Sequence, residues 1–554
     1  MKIRSDIIRV YKSLHTWVGI TSGLLLFIGF FAGALTMFKQ PIDAWVSPPQ
    51  QKLAQVSPQQ LDALVPQVLQ THPDAAHGFT LYLTDEAQVS APMVWEKHDP
   101  QEAGGHHHRL ELDADMWHAT LDDNNQLVAE QVQPSKLGAL IDMLHRTGGF
   151  PDEHTGIYLL GIAGALYFIA LISGLIILLP SLVKDFFAVR AGKNRKRFWL
   201  DAHNVIGITS LPFHLIIALT VVVFAFHDEL YDGLQGVVYQ EQPMFQRGGA
   251  PGGQKPQPGA EQELAPPSQI IARLKEAAPD FQPTQLMYMG MSGPRPVVRA
   301  FLYNPDYLVR GPVTGFMLID PRSGNIINDN YMPGQGNVWI ETVMHFFALH
   351  FGSFGGTPVR WVYFFLGLSG AFLFYSGNLL WVESRRKKQK RDQPVPQQQL
   401  NTRLMASATV GIALGCMAGV AAAMVAGKWA TAFGAENVNA LYPAMYYAVF
   451  LACVIWAFWR GAAKASVPLL TLCAASAAAI PLTSVLAVMV PSLGLWVHTG
   501  VETLSVDITS ALMAAALFYA ARRTHRRLKN APADTLWHLD DGDPVSQQGV
   551  NQPG

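Results

Sequence analysis

The sequence predicts an all-α membrane protein of about eight transmembrane helices, with two external α+β segments inserted among the first four. Three observations predict it. There are eight apolar runs of spanning length, four basic clusters that share one side if all eight cross, and two long polar stretches with mixed strand and helix patterns. Half of the 554 residues are hydrophobic and only 15% are charged, against about 25% charged in an average soluble chain. The formal net charge of −1 gives no electrostatic footprint for nucleic acid.

A bilayer-crossing helix needs about 20 apolar residues. The first candidate spans 16–38, which exceeds the roughly 7–15-residue apolar core of a secretory signal. Ala32-Gly33-Ala34 resembles a cleavage site only loosely, so an uncleaved helix is expected. Further spans are expected at 157–179, 203–226 and 361–381, and a second set at 405–426, 441–459, 467–490 and 504–521.

Basic residues set the orientation. Lys2, Arg4, Arg9 and Lys12 precede the first span, and Arg190, Lys193, Arg195, Lys196 and Arg197 lie between spans two and three. Arg385, Arg386, Lys387, Lys388, Lys390 and Arg391 follow span four, and Arg522, Arg523, Arg526, Arg527 and Lys529 follow span eight. Eight crossings place every cluster on one side, and the positive-inside rule makes that side the cytoplasm. Both termini are then cytoplasmic, in a bacterial inner membrane.

The expected organisation follows. Residues 1–38 form the first span, 39–151 an external domain, 152–227 spans two and three, 228–340 a second external domain, and 341–391 the fourth span. Residues 401–527 add a four-helix membrane domain and 528–554 a cytoplasmic tail. The external stretches carry strand patterns at 79–83, 93–95, 296–302 and 313–319, and a helix pattern near 58–70. Residues 247–269, rich in Gly, Pro and Gln, read as a flexible loop.

Three cysteines, Cys416, Cys453 and Cys473, lie in apolar runs and form neither CxxC nor CxxCH. That disfavours a disulfide frame and covalently attached haem, and leaves buried small hydrophobes. No G-x-G-x-x-G follows a strand, so no nicotinamide or flavin site is read in this chain.

The eighteen histidines carry the functional reading. Ionisable residues at membrane depth are costly and tend to be functional. His15 opens span one and His203 opens span three, at matching depths. His15, Gly19 and Gly23 share a helix face at i, i+4 and i+8, and Gly207 follows His203 by four. The glycines leave room beside the histidines for a flat macrocycle, although close small-residue packing alone also explains glycine stripes. Leu144-His145 precedes span two and Leu349-His350 precedes span four, both at the opposite face, and His350 leads into a tight loop, Phe351-Gly352-Ser353-Phe354-Gly355-Gly356. Haem iron accepts axial imidazole, and two per haem suits electron transfer. His214, His227 and His345 are weaker candidates, either for ligation or for a supporting or proton-carrying role. His106-His107-His108, with Trp117-His118 nearby, reads as a solvated loop with a weaker metal-binding alternative. Glu502 and Asp507, with His498 just before, suggest an interfacial acidic site, with proton or quinone chemistry as the alternative.

The segment Arg9-Val10-Tyr11-Lys12-Ser13-Leu14-His15-Thr16-Trp17-Val18-Gly19 resembles the opening of the PepSY-associated transmembrane helix family. Leu144-His145, Gly156 and Ser173-Gly174 resemble its second helix region. Asp201-Ala202-His203-Asn204-Val205-Ile206-Gly207 with Leu211-Pro212-Phe213 resembles its third, and Leu349-His350-Phe351-Gly352 through Gly355-Gly356 its fourth. The resemblance covers about residues 1–391. It implies an iron-regulated inner-membrane protein with periplasmic PepSY-like domains, similar to siderophore reductases that hold two b-type haems. It further implies that His15, His145, His203 and His350 ligate haem iron, and that the substrate is a ferric siderophore or related ferric chelate. Electrons then come from a separate donor, either a cytoplasmic reductase or quinone. Two other readings stand beside this one: a non-enzymatic membrane-anchored binding or assembly module, and a histidine-relay metal or proton transporter.

Overall fold

In the computed structural model of the chain, residues 4–49, 53–84, 91–97, 115–182, 190, 195–237, 263–293, 295–307 and 314–539 are described. Helix α1 (Ser5–Thr36) begins well before the expected span and carries its apolar residues over the later turns. A short helix follows, α2 (Lys39–Val46), which buries Trp45 and Val46. Helix α3 (Pro58–Thr71) starts with a capping box: the Ser57 hydroxyl accepts from the Gln60 N–H while the Gln60 side chain accepts from the Ser57 N–H. Strands β1 (Gly78–Tyr82), β2 (Met93–Glu96), β3 (Met116–Leu121) and β4 (Leu127–Val132) come next, then α4 (Leu137–Thr147). Helix α5 (Glu153–Leu178) is capped by Asp152, which accepts from the Thr155 N–H.

The third span departs from expectation. The single helix expected over 203–226 is two helices, α6 (Arg195–Thr209) and α7 (Leu211–Ala225), bent by 72° at Ser210. Pro212 at the second position of α7 explains the break. Its nitrogen donates no hydrogen bond, and its ring crowds the carbonyl four residues back, at Ile208, so one helix does not continue through it. Helix α8 (His227–Val237) follows.

The second polar stretch supplies α9 (Pro267–Ala277), β5 (Gln282–Met289), β6 (Val297–Tyr303), β7 (Gly315–Ile319) and β8 (Ile326–Asn328), then α10 (Val338–Phe351). The expected loop over 247–269 is corrected at its end, because Pro267 already opens α9; its residues up to 262 lie outside the described residues. The chain re-enters through α11 (Gly356–Ser384) and ends in α12 (Leu400–Ala432), α13 (Val438–Arg460), α14 (Ala462–Met489) and α15 (Val501–Lys529). Among the described residues seven helices are long and apolar enough to cross a membrane, and the bent α6–α7 pair makes an eighth if it counts as one span.

The two external stretches were expected as two separate domains. Instead their strands form one antiparallel sheet of eight, in the order β4-β3-β2-β1-β5-β6-β7-β8. The seam is the β1–β5 pair, where Leu81 faces Leu286 and Phe79 stacks on Tyr288 with ring centroids 4.3 Å apart. Each half alone would expose an unpaired inner edge, and joining them satisfies both. Alternate residues Phe79, Leu81, Leu286, Val298, Ala300, Leu302 and Ile319 are buried on one face under α3 and α9. Each large aliphatic side chain buried there contributes about 1.5–3 kcal/mol. Asp62 of α3 accepts from the N–H and hydroxyl of Ser268, at 2.9 and 2.5 Å, tying the two covering helices together.

In the membrane part, α1 packs against α4, α5, α11 and α12. One apolar core runs from Leu26, Phe27 and Phe31 of α1 through Leu144 and Leu160 to Cys416, Val420 and Tyr446 of the last four helices. Those helices therefore share a core with the first half. All three cysteines are buried as free thiols, Cys416 in this core and Cys453 and Cys473 in a second cluster with Trp381, Val410 and Leu469. Beyond α15, the Asp534 carboxylate accepts from the Gln389 N–H at 2.8 Å and pairs with Arg386, holding the segment after α15 against the α11–α12 linker.

Candidate functional site

Two histidine pairs sit at opposite ends of the helical bundle. On the end away from the sheet, His15 of α1 meets His203 of α6, with ring centroids 6.4 Å apart and planes at 82°. The His15 Nδ1–H donates to the Ala170 carbonyl at 2.8 Å. The His203 Nδ1 lies 3.0 Å from the Ser376 hydroxyl, whose proton is directed to the Leu373 carbonyl at 3.1 Å. Asp201, two residues before His203, is buried against Arg190 at 2.9 Å and Arg197 at 3.2 Å, which fixes the start of α6. A Cβ added at Gly19 would meet nothing within 4 Å, and one at Gly207 would meet only a Leu373 methyl at 3.9 Å. The glycine faces beside this pair border open space, whereas Gly23 packs on Asn378.

On the sheet-bearing end, His145 of α4 meets His350 of α10, with centroids 6.0 Å apart and planes at 38°. Both histidines occupy the last turn of their helix, and each helix is stopped by a glycine in the left-handed region, Gly148 at φ +63° and Gly352 at φ +60°. The His145 Nδ1–H donates to the Gly29 carbonyl at 2.8 Å. The His350 Nδ1–H donates to the Thr220 hydroxyl at 2.7 Å, while that hydroxyl donates to the Ile216 carbonyl at 2.8 Å. The N-terminal turn of α4 is held by Asp43 of α2, which accepts from the Gly138 N–H at 2.8 Å and the Ser135 hydroxyl at 3.0 Å. Burial raises the Asp43 carboxyl to about 6, against the pull of those two donors and of Lys39 and Lys136.

All four rings share one chemical state. Each Nδ1 is committed as donor to an oxygen, so each Nε2 keeps its lone pair, and no hydrogen bond found for these rings uses Nε2. A metal-ligating histidine is held in this way, with the second nitrogen fixed by a carbonyl or hydroxyl. An imidazole nitrogen bonds a first-row metal at about 2 Å and the ring centre lies about 1 Å further back, so two rings sharing one iron have centroids about 6 Å apart. Both pairs match that separation. Gly33, beside His145, follows His15 by 18 residues on α1, which is about 27 Å along the helix. Because His145 also bonds Gly29, 14 residues after His15, the two pairs stand about 21–27 Å apart along α1, within a hydrocarbon core of about 30 Å.

A cavity of about 780 Å³ opens at the sheet-side pair. Its lower part is apolar, bounded by Phe30, Tyr167, Phe213 and the glycines of α1 and α11. Its upper part is polar, bounded by Lys39, Arg360, Gln282 and Thr284. Volumes of about 300–1,000 Å³ are usual for cofactor and ligand sites.

The other histidines lie elsewhere. His214 of α7 is fully buried among Phe30, Tyr167 and Phe213, and among the described residues neither of its nitrogens has a hydrogen-bond partner. The Ser210 bend separates it from His203, so the two do not continue one helical face. His227 is exposed beside Asp228 at 3.2 Å, and His345 is exposed with Nδ1 on the Glu341 carbonyl at 2.6 Å. His118 is buried in β3, and burial lowers its pKa. His106, His107 and His108 lie outside the described residues. Asp507 accepts from the Trp45 indole and the Ser484 hydroxyl, both at 2.9 Å, while His498 donates to the Ser47 carbonyl at 2.9 Å. These contacts dock α14 and α15 on α2, while Glu502 reaches the edge of the large cavity. Among the described residues no group of three or more His, Cys, Asp or Glu side chains could hold a bare metal ion.

Sequence reasoning missed Ser376, Thr220 and the Ala170 and Gly29 carbonyls, which set the four rings. Only the hydroxyls left a signal, as isolated polar residues inside apolar runs. No curated protein matches the chain. Residues 12–384 match the PepSY-associated TM region. That stretch contains both histidine pairs and the whole external sheet, and the chain belongs to the PepSY-associated TM region family.

Proposed function

We propose that the chain is an inner-membrane oxidoreductase holding two b-type haems, one between His15 and His203 and one between His145 and His350. It passes electrons across the bilayer to a periplasmic ferric siderophore or related ferric chelate. The observation that carries this reading is the common state of the four imidazoles: paired, about 6 Å apart, each Nδ1 occupied and each Nε2 free. Haem supplies one-electron chemistry when bound, and bis-imidazole ligation suits transfer rather than oxygen binding.

The protein's own residues do the rest. The Ala170 and Gly29 carbonyls and the Ser376 and Thr220 hydroxyls orient the rings and raise their basicity. Phe30, Tyr167 and Phe374 pack between the two levels and exclude water from the gap. The sheet caps the outer pair and offers a docking surface. Lowering Fe(III) to Fe(II) weakens its hold on hard oxygen donors, so release needs no nucleophile or acid–base pair from the chain. The basic clusters favour cytoplasmic termini, and on that orientation the inner pair faces a separate donor, a cytoplasmic reductase or quinone.

The purified protein should show reducible, low-spin b-type absorption bands with two haems per chain. A colourless preparation from haem-replete cells would end this reading and favour a binding module or a proton or metal transporter.

On the same reading His214 ligates nothing. His214→Leu should keep both haems, by pyridine haemochrome titration, and should raise the thermal midpoint, because an unpartnered buried polar group costs about 1–3 kcal/mol. Loss of one whole haem in this variant would move the ligand on this span from His203 to His214.

A further inference from the structure

Arg360 stands in the first turns of α11 and lines the polar end of the large cavity. It is half-buried, and among the described residues it makes no ion pair and no hydrogen bond. The neighbouring Arg146 differs, since it is committed to Asp142 at 2.9 Å and to Glu153. Lys39 of α2 is the second cation at this end, with Asp43 of its own helix near enough to feel its charge. The acidic groups on the cavity wall are Asp142, already paired, and Glu502, which makes no ion pair. With Lys39, Arg146 and Arg360 against Asp142 and Glu502, the lining carries one net positive charge around His145 and His350.

A guanidinium withdrawn from bulk water without an anion is costly, and its planar fork matches a carboxylate in a bidentate pair. We propose that Arg360, assisted by Lys39, is a carboxylate-binding site at the mouth of the outer cavity. The carboxylate is either a propionate of the haem held by His145 and His350 or a carboxylate of the arriving ferric chelate. The inference rests on the haem reading for the first source and is independent of it for the second.

The test uses the full chain as purified, comparing wild type with R360Q and R360K. Haem release is followed by transfer to excess apomyoglobin, with the protein loaded with protohaem or with its dimethyl ester. If the propionate is the ligand, R360Q releases the outer protohaem about tenfold faster or more. R360K recovers part of the loss, and the ester is released equally by wild type and R360Q. If the chelate is the ligand, haem release is unchanged, whereas ferric citrate binds R360Q about tenfold more weakly and a neutral ferric hydroxamate binds both alike. R360Q matching wild type in haem release and in ferric citrate binding overturns the proposal. A wild-type protein without haem defeats the haem reading alone, because citrate binding to that protein still decides the role of Arg360.

Discussion

Replacing His145 or His350 with alanine should remove the same single haem from each chain and abolish reduction of an external ferric chelate. The two rings lie 6.0 Å apart at the wall of the cavity that reaches the sheet, so neither alone completes the outer site. An artificial cytoplasmic donor should still reduce the remaining haem in both variants. His15→Ala and His203→Ala should show the opposite pattern, because their pair, 6.4 Å apart, lies toward the other end of α1. The outer haem is then retained but stays oxidised when electrons are supplied from inside. Each substitution deletes a polar group without introducing one, so insertion and folding should persist. The measurement is haem per chain in the four variants, with chelate reduction scored beside it. Unequal haem loss within either pair would dissolve that pair.

Much of this arrangement was legible in the sequence. Spans, basic clusters and histidine positions are local signals. His145 and His350 lie in the last turns of their helices and His15 and His203 lie inside theirs, and chain order alone distinguishes one face from the other. The broken third span was less legible. Leu211-Pro212-Phe213 carried the signal, but an apolar run of spanning length outweighed one proline. The single sheet was illegible for a different reason. Nothing in the alternation of Phe79 and Leu81, or of Leu286 and Tyr288, says which edge each strand joins across some 200 intervening residues. Strands β3, β4, β5 and β8 were missed with it, and so was the sharing of one core by the last four helices and the first half. The hydrogen-bond partners of the rings were hidden too. Two of them are backbone carbonyls, which every residue has.

Gly33 provides the sharpest test of the outer site, because it alters no ligand. An added Cβ would lie 2.7 Å from the His145 Nδ1 and 2.8 Å from its Cε1, closer than atoms in contact can come. The ring must then move off the Gly29 carbonyl, and the separation from His350 changes with it. Gly33→Ala should therefore lose the outer haem, or bind it about a hundredfold more weakly, along with chelate reduction, while the inner haem remains. Overpacking of this kind costs about 1–3 kcal/mol of stability, so a modest fall in thermal midpoint accompanies the loss. Gly174→Ala is the graded comparison at the inner pair. There the added atom would stand 3.1 Å from the His15 Cε1 and 3.2 Å from its Nδ1, a contact that a small shift relieves. Its inner haem should be weakened but retained. The ordering matters more than either value: a Gly33→Ala protein that holds two haems with an unchanged spectrum, beside a Gly174→Ala protein that has lost one, would mean that His145 is not a ligand and that the tight contact on Gly33 is packing alone.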